Sequence, residues 1–281
     1  MNLPRVMVGG PIRERAWSVP LWMGGLLGSD YPRELMTLCA LVNDSQDNTL
    51  EACRFWGELA RAEGFGRVWI VEQNFGTTAD NNVRDDHRDY IAFGKVRDTW
   101  SALLPADCEW AWSVDSDIQV APDTLRRLVE LAVEHDAKML SAVIDNSQGG
   151  GCAHHTNAME YWPEEQYYWH IYEAQDDREP GIKSCDLTGA CCLLHRDIFA
   201  AGCRYHRPGI NLPEDILFCE DVRAAGFQPQ YAPSVRAMHW MKAPEQLEYL
   251  ADPAWHRRLA AFHASEAARL TTEGSHVRQV A

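Results

Sequence analysis

Five short apolar runs, at residues 5–8, 35–42, 67–71, 109–114 and 138–144, punctuate the first 145 residues and constrain the fold more than any other feature. Each ends in a turn or an acid, and longer stretches with helical spacing separate them. A run that is apolar along its whole length has no side left for water, so it predicts a strand buried on both faces. Strands of that kind joined by helices make an α/β fold with a mostly parallel sheet flanked by helices. Such sheets bind ligands beyond the carboxyl ends of their strands. Asp44, Glu72, Asp115 and Asp145 stand at those ends, and several acids converging on one edge point to a metal ion.

The connecting segments carry signals of their own. Asn48 and Glu51 have the spacing of a capping box, which predicts a helix over 49–64 with Ala52, Trp56, Leu59 and Ala60 on its buried face. Pro122 is placed to open a second helix, with Leu125, Leu128, Val129 and Ala132 inward. Residues 146–185 change character: Gly149, Gly150 and Gly151 form a joint, and six aromatic residues lie between Tyr161 and Tyr172 among polar neighbours. Asp252 and Pro253 read as the start of an amphipathic terminal helix running to about residue 270. There is no internal repeat or low-complexity linker. The economical reading is one domain over 1–281, with a ligand-binding half (1–145), an irregular half (146–240) and a C-terminal helical extension (241–281).

Charge narrows the partners. The 26 Lys and Arg against 41 Asp and Glu give a formal charge of −15, the wrong sign for counterion-release binding to nucleic acid. No apolar stretch reaches the roughly 18 residues of a membrane span, and no leader-like segment opens the chain. The nine cysteines follow no framework spacing and predict reduced, packed thiols and a cytoplasmic address. Cys152, His154 and His155 resemble metal ligands, but no matching pair follows at a zinc spacing.

The sharpest local feature is Asp115-Ser116-Asp117 behind the fourth apolar run. Two carboxylates two residues apart on extended chain project to one side and suit a hard divalent ion that also takes phosphate oxygens. Around it, in order, stand Asp44-Ser45 with Asp47 and Thr49, then Thr188-Gly189-Ala190, Glu214-Asp215, Gly226 and His239.

That order of motifs resembles the GT-A fold glycosyltransferases, especially the inverting family 2, over about residues 5–240. Over 31–130, Tyr31-Pro32, residues 41–51, 72–76, 95–98 and 114–122 are also similar to the fungal mannan-polymerase mannosyltransferases, which retain anomeric configuration and use GDP-mannose. Both resemblances imply a Rossmann-like GT-A fold with an irregular acceptor-side region, a nucleoside-diphosphate sugar donor and Mn²⁺ or Mg²⁺. They disagree on stereochemistry. One departure from family 2 is Cys219-Glu220-Asp221-Val222-Arg223, where the basic residue comes late.

The resemblance assigns roles. Asp117 is the direct metal ligand, and Asp115 reaches the ribose, or the metal through water. His239 either completes the coordination or packs as an ordinary strand histidine. Asp44 accepts from the base's ring N–H, while Gly9, Gly10 and Pro11 let the backbone approach base and ribose, with Arg13 and Ser116 in the same donor set. Arg97 contacts the diphosphate or forms a salt bridge. Asp215, beside Glu214, is the general base of an inverting transfer, the orienting group of a retaining one, or a helix cap. Gly189 and Ala190 face the acceptor, and Trp162 and Trp169 stack on it or fill an interface. The expected acceptor is a small molecule, a glycan or a peptide, with peripheral membrane contact and homo-oligomerisation both allowed.

The preferred donor is GDP-mannose, with UDP-sugars next. Two rivals stand: a sugar-phosphate nucleotidyltransferase, for which Gly9-Gly10-Pro11-Ile12-Arg13 is too poor in glycine, and a non-catalytic nucleotide-sugar-binding subunit.

Overall fold

The structure is a computed structural model that describes residues 3–76, 90–146 and 155–240. In chain order the elements are β1 (Val6–Ile12), α1 (Val19–Leu27), β2 (Met36–Asn43), α2 (Thr49–Ala62), β3 (Arg67–Gln73), α3 (Tyr90–Ser101), β4 (Trp110–Val114), β5 (Ile118–Val120), α4 (Thr124–Glu134) and β6 (Met139–Asp145). There follow β7 (Met159–Trp162), β8 (Tyr167–His170), β9 (Lys183–Ser184), β10 (Cys191–His195), α5 (Arg196–Ala200), α6 (Glu214–Ala224) and β11 (Pro229–His239).

The main sheet runs β3-β2-β1-β4-β10-β6-β11-β5, with β9 beside β11. All three pairings among β3, β2, β1 and β4, and that of β6 with β11, are parallel, whereas β10 is antiparallel to both its neighbours. The mixed α/β architecture with a mostly parallel sheet flanked by helices is therefore as expected. From β1 the chain goes to β2 on one side and, later, to β4 on the other, so the sheet order reverses between β1 and β4. A crevice for ligand opens beyond the strand ends at such a reversal.

Several local expectations are corrected. The first strand does not stop at Gly9. It continues to Ile12 because both glycines fill positions where two neighbouring strands approach closely. A side chain on Gly9 would place Cβ 2.2 Å from the Cys39 carbonyl oxygen, at a φ of +135°, and one on Gly10 would come to 2.7 Å from that of Val114. No capping box forms at α2: Asn48 makes no side-chain cap, and Asp47 Oδ1 takes the Thr49 amide (3.0 Å) and the Thr49 hydroxyl instead. The buried stripe of α2 is Thr49, Cys53, Gly57 and Ala60, while Leu59 is exposed. Gly57 sets that choice, since its bare Cα lets the helix settle on Val68 and Ile70 of β3.

The second predicted helix begins at Thr124, two residues after Pro122, and buries Leu125, Leu128, Val129 and Ala132 as expected. The aromatic segment is a hairpin, β7–β8, not irregular chain. The expected joint at 149–151, Cys152, His154 and the helix from Asp252 lie outside the described residues. His155 stacks on His170, with ring centroids 4.2 Å apart.

Candidate functional site

Ile12, Val114 and Asp145 close β1, β4 and β6 at the same edge, and the expected acids gather there. The Val114 carbonyl accepts from Trp22 Nε1 of α1 (3.0 Å) and the Ser116 carbonyl from the Ser18 hydroxyl (2.7 Å). The Asp115 amide donates to the Ala190 carbonyl (2.7 Å) and the Trp240 amide to that of Asp117 (2.8 Å). Every turn of the segment after β4 is thus tied to a different part of the chain. The aspartates are held in place before any ligand arrives.

Asp115 and Asp117 face different partners. Asp115 Oδ1 receives Arg97 Nη2 at 2.8 Å, and Arg97 Nε reaches Glu214 Oε1 at 3.2 Å. The Arg97 guanidinium also lies 5.7 Å from the Tyr205 ring centroid. Gly94 lets α3 come this close, because a Cβ there would be 2.5 Å from the Tyr205 carbonyl oxygen. Burial opposes the Arg97 charge, but Asp115, Asp215 and Glu214 together outweigh it and hold the group well above its ordinary range. Burial, helped by the charge of Asp117, pushes the Asp115 carboxyl up, against Arg97.

Asp117 Oδ1 is 3.5 Å from His239 Nε2, and its Oδ2 is 3.5 Å from Arg15 Nη2. Burial works against the Asp117 charge, yet the His239 hydrogen bond and the charges of His239 and Arg15 win and lower its pKa. The same bond to Asp117 outweighs burial at His239 and raises the imidazole pKa. Two ligands of one divalent ion, each at about 2.1 Å and near a right angle, lie roughly 3 Å apart. The Asp117–His239 pair fits such an ion with a small adjustment. Asp115, turned toward Arg97, does not share that contact. Among the described residues no group of three or more His, Cys, Asp and Glu is arranged as a metal cage, so phosphate oxygens and water would have to complete the coordination.

Glu214 and Asp215 open α6, with Glu214 buried. The Asp215 carboxylate lies against Gly189, where a Cβ would fall 2.5 Å from Oδ2. The Thr188–Ala190 turn is buttressed by Asn157, whose Nδ2 lies 2.9 Å from the Gly189 carbonyl oxygen and 3.2 Å from Thr188 Oγ1. Ala190 has φ +63°, a conformation that costs energy for a non-glycine residue and recurs at functional sites. Asp44 is left-handed as well, at +48°. Its Oδ1 takes the amides of Phe75 and Gly76 (2.9 Å each), and its Oδ2 takes Asn43 Nδ2 (3.3 Å). The expected base-reading carboxylate is therefore already engaged on both oxygens, and it shapes the rim of a cavity of ≈ 300 Å³ lined by Val42, Ser45, Leu50, Glu72 and Asn74.

The hairpin leaves Trp162 49% and Trp169 37% exposed, with ring centroids 6.4 Å apart. The hairpin is tied to the site region through Asp186, which accepts the Tyr161 amide (2.8 Å) and pairs with Arg223 (3.0 Å). Arg223 also donates to the Tyr168 hydroxyl (2.8 Å). Three residues at this edge escaped the sequence reading: Arg15, Asn146 and Asn157. The two asparagines give no signal in a single sequence, because an Asn outside a turn is indistinguishable from surface polarity. Arg15 reaches Asp117 because β1 continues to Ile12 and delivers the chain to this edge.

Comparison with known proteins bears on this arrangement. The family model for Glycosyl transferase family 2 matches residues 92–202, a span holding Asp115, Asp117 and Gly189 but not Asp44, Asp215 or His239. Two curated relatives match over 149 residues, each 26% identical and covering 48% of this chain. They are the Mannan polymerase II complex anp1 subunit of Schizosaccharomyces pombe, of which 34% is covered, and the ANP1 subunit of the same complex in Saccharomyces cerevisiae, of which 29% is covered. The match thus spans about a third of those relatives.

Among solved structures, GalNAc-T7 with UDP, GalNAc and Mn²⁺ superposes with a TM-score of 0.59 at 14% identity, covering 85% of this chain and 44% of that one. S. aureus TarS superposes at 0.53 and 13% identity, covering 85% and 36%. TarS 1-349 in complex with UDP gives 0.52 at 14%, covering 85% and 59%. The fold is GT-A.

Proposed function

We propose that this chain, a glycosyltransferase of GT-A fold, moves a sugar from a nucleoside diphosphate to an acceptor hydroxyl at the edge where β1, β4, β6 and α6 meet. The observation that carries the reading is that Arg97 bridges Asp115, two residues from the Asp117–His239 pair, to Glu214, which adjoins Asp215. That edge offers a cation position and a carboxylate base in one crevice. A divalent ion, Mn²⁺ or Mg²⁺, held by Asp117 and His239 would offset the charge that builds on the departing diphosphate. The UDP and Mn²⁺ of the solved neighbours support a donor and a metal of these classes.

In this reading Gly10, Pro11 and Arg13 line the approach from β1, and the nucleoside occupies the cavity beside Asp44 and Glu72. Asp115 and Ser116 meet the ribose and diphosphate. Arg97 holds Asp115 and Glu214 in register and lends positive charge to the diphosphate side. Asp215 takes the proton of the acceptor hydroxyl as its oxygen attacks the anomeric carbon, and a half-buried carboxylate held against Gly189 at the start of α6 suits that work. Gly189, Ala190, Trp162 and Trp169 receive the acceptor, a small molecule, glycan or peptide. The eight described cysteines are free and buried, which supports a cytoplasmic address, and no described helix is long and apolar enough to cross a membrane.

The test is turnover of GDP-mannose and of UDP-sugars with Mn²⁺, read as nucleoside diphosphate released in the presence of acceptor mixtures. Asp215→Asn is expected to lower kcat by about 100-fold or more, the usual contribution of a general base, with little change in donor binding. Full turnover by a folded Asp215→Asn would remove the assignment. The likeness to the mannan polymerase subunits supports a second reading, transfer of mannose with retention, in which Asp215 orients the acceptor. The anomeric configuration of the first-formed product separates the two.

A further inference from the structure

We infer that Asn146 is a positioning residue that fixes the tautomer of His239 and so makes Asp117 and His239 a matched pair for one divalent cation; the inference rests on the metal reading above. Asn146 is the first residue after β6 and is buried. Its Nδ2 lies 2.6 Å from the His155 carbonyl oxygen. A carbonyl accepts only, so the amide nitrogen must stand on that side and the orientation of the whole amide is set. Its Oδ1 then faces His239 Nδ1 at 2.8 Å. An amide oxygen also accepts only, so Nδ1 must carry the hydrogen.

The other ring nitrogen, Nε2, is the one 3.5 Å from Asp117 Oδ1. In the neutral ring that atom carries the lone pair, and it faces the carboxylate that would share the ion. A hydrogen-bond acceptor behind a ligating imidazole is what fixes ring orientation and raises ligand basicity at metal sites. Backbone pairing supplies the remaining precision. Met238 lies opposite Asp145 of β6, His239 lies opposite Ile118 of β5, and the Trp240 amide donates to the Asp117 carbonyl at 2.8 Å. The histidine is therefore clamped between β6, the strand that leads into Asn146, and β5, the strand that follows Asp117.

Mn²⁺ affinity of the purified chain, measured by electron paramagnetic resonance of the free ion with and without GDP or UDP, tests this without turnover. Asn146→Leu, which loses both hydrogen bonds, is expected to weaken Mn²⁺ binding about tenfold or more. Asn146→Asp, which keeps an acceptor for Nδ1, should stay within a few-fold of wild type, and it guards against a leucine variant that merely misfolds. In a His239→Ala background the same Asn146→Leu change should cost nothing further, because its effect travels through the imidazole.

Equal Mn²⁺ affinity in wild type and Asn146→Leu, or an equal loss in both backgrounds, would overturn the inference alone. Absence of Mn²⁺ binding by wild type under all conditions would overturn the metal reading and the inference with it.

Discussion

A methyl group added to either of two glycines is expected to have opposite consequences, and the difference lies in what each methyl would meet. At Gly9 the obstacle is the Cys39 backbone carbonyl, in the next strand of a buried sheet. Neither strand can yield, and the positive φ adds strain. Gly9→Ala should therefore give little soluble protein or a large drop in melting temperature. At Gly189 the obstacle is the end of the Asp215 side chain, which can swing aside. Gly189→Ala should keep its melting temperature within a few degrees yet lose about 100-fold in kcat, the scale expected when a reacting group is misplaced by an ångström. Thermal melts and steady-state kinetics on the two variants check both statements. A Gly189→Ala enzyme with unchanged kcat would mean that the carboxylate beside it takes no part in the chemistry.

At the scale of elements, α3 acts as a clamp between β4 and α6 through a single side chain. Arg97 is bonded to Asp115 at one end and Glu214 at the other, and all three are largely buried. Arg97→Met leaves two carboxylates facing each other without a cation. Breaking a buried pair in this way costs about 3–5 kcal/mol, to be read from urea unfolding at neutral pH. Arg97→Lys should recover part of that loss but not the fork that reaches both acids.

The β7–β8 hairpin behaves differently. Its outer face carries Trp162, Tyr167 and Trp169, all exposed, so Trp162→Ala should leave stability within about 0.5 kcal/mol, as surface substitutions do. Its expected effect is a higher KM for acceptor with kcat little changed. An unchanged KM would take the hairpin out of the acceptor path.

Taken whole, the molecule keeps its chemistry on one edge of the sheet and its thiols inside it. Burial pushes Cys39, Cys53, Cys191 and Cys219 up to about 12 and raises the other four described cysteines as well. At pH 8 a thiol of that kind is ionised in about one molecule in ten thousand, and the thiolate is the reactive form. The native protein should therefore release at most one equivalent of colour from a thiol-disulfide reagent at pH 8, from Cys152, and all nine after denaturation. Rapid native reaction of several thiols would mean that the core opens easily.

The central strands of the sheet are written in local pattern, because an apolar run can be satisfied only by burial. The runs at 35–42, 109–114 and 138–144 became β2, β4 and β6 within a residue or two. The acids at strand ends are written there too, since a strand ends where its apolar run ends and the next residue faces the crevice. Asp115 and Asp117 were legible for that reason, whereas Asp215, which opens α6, was legible through the likeness of its Glu-Asp motif to family 2.

What each acid touches is set by the packing of distant segments. Asp115 turns to Arg97 and Asp117 to His239, although the two are chemically alike and two residues apart. Partners 18, 122 and 117 residues apart in the chain (Arg97 and Asp115, His239 and Asp117, Glu214 and Arg97) are set by strand order and register, which no local pattern encodes. The same is true of Asn146, whose amide matters solely because β6 and β11 are neighbours, and of Gly9, whose missing side chain is explained by the strand beside it.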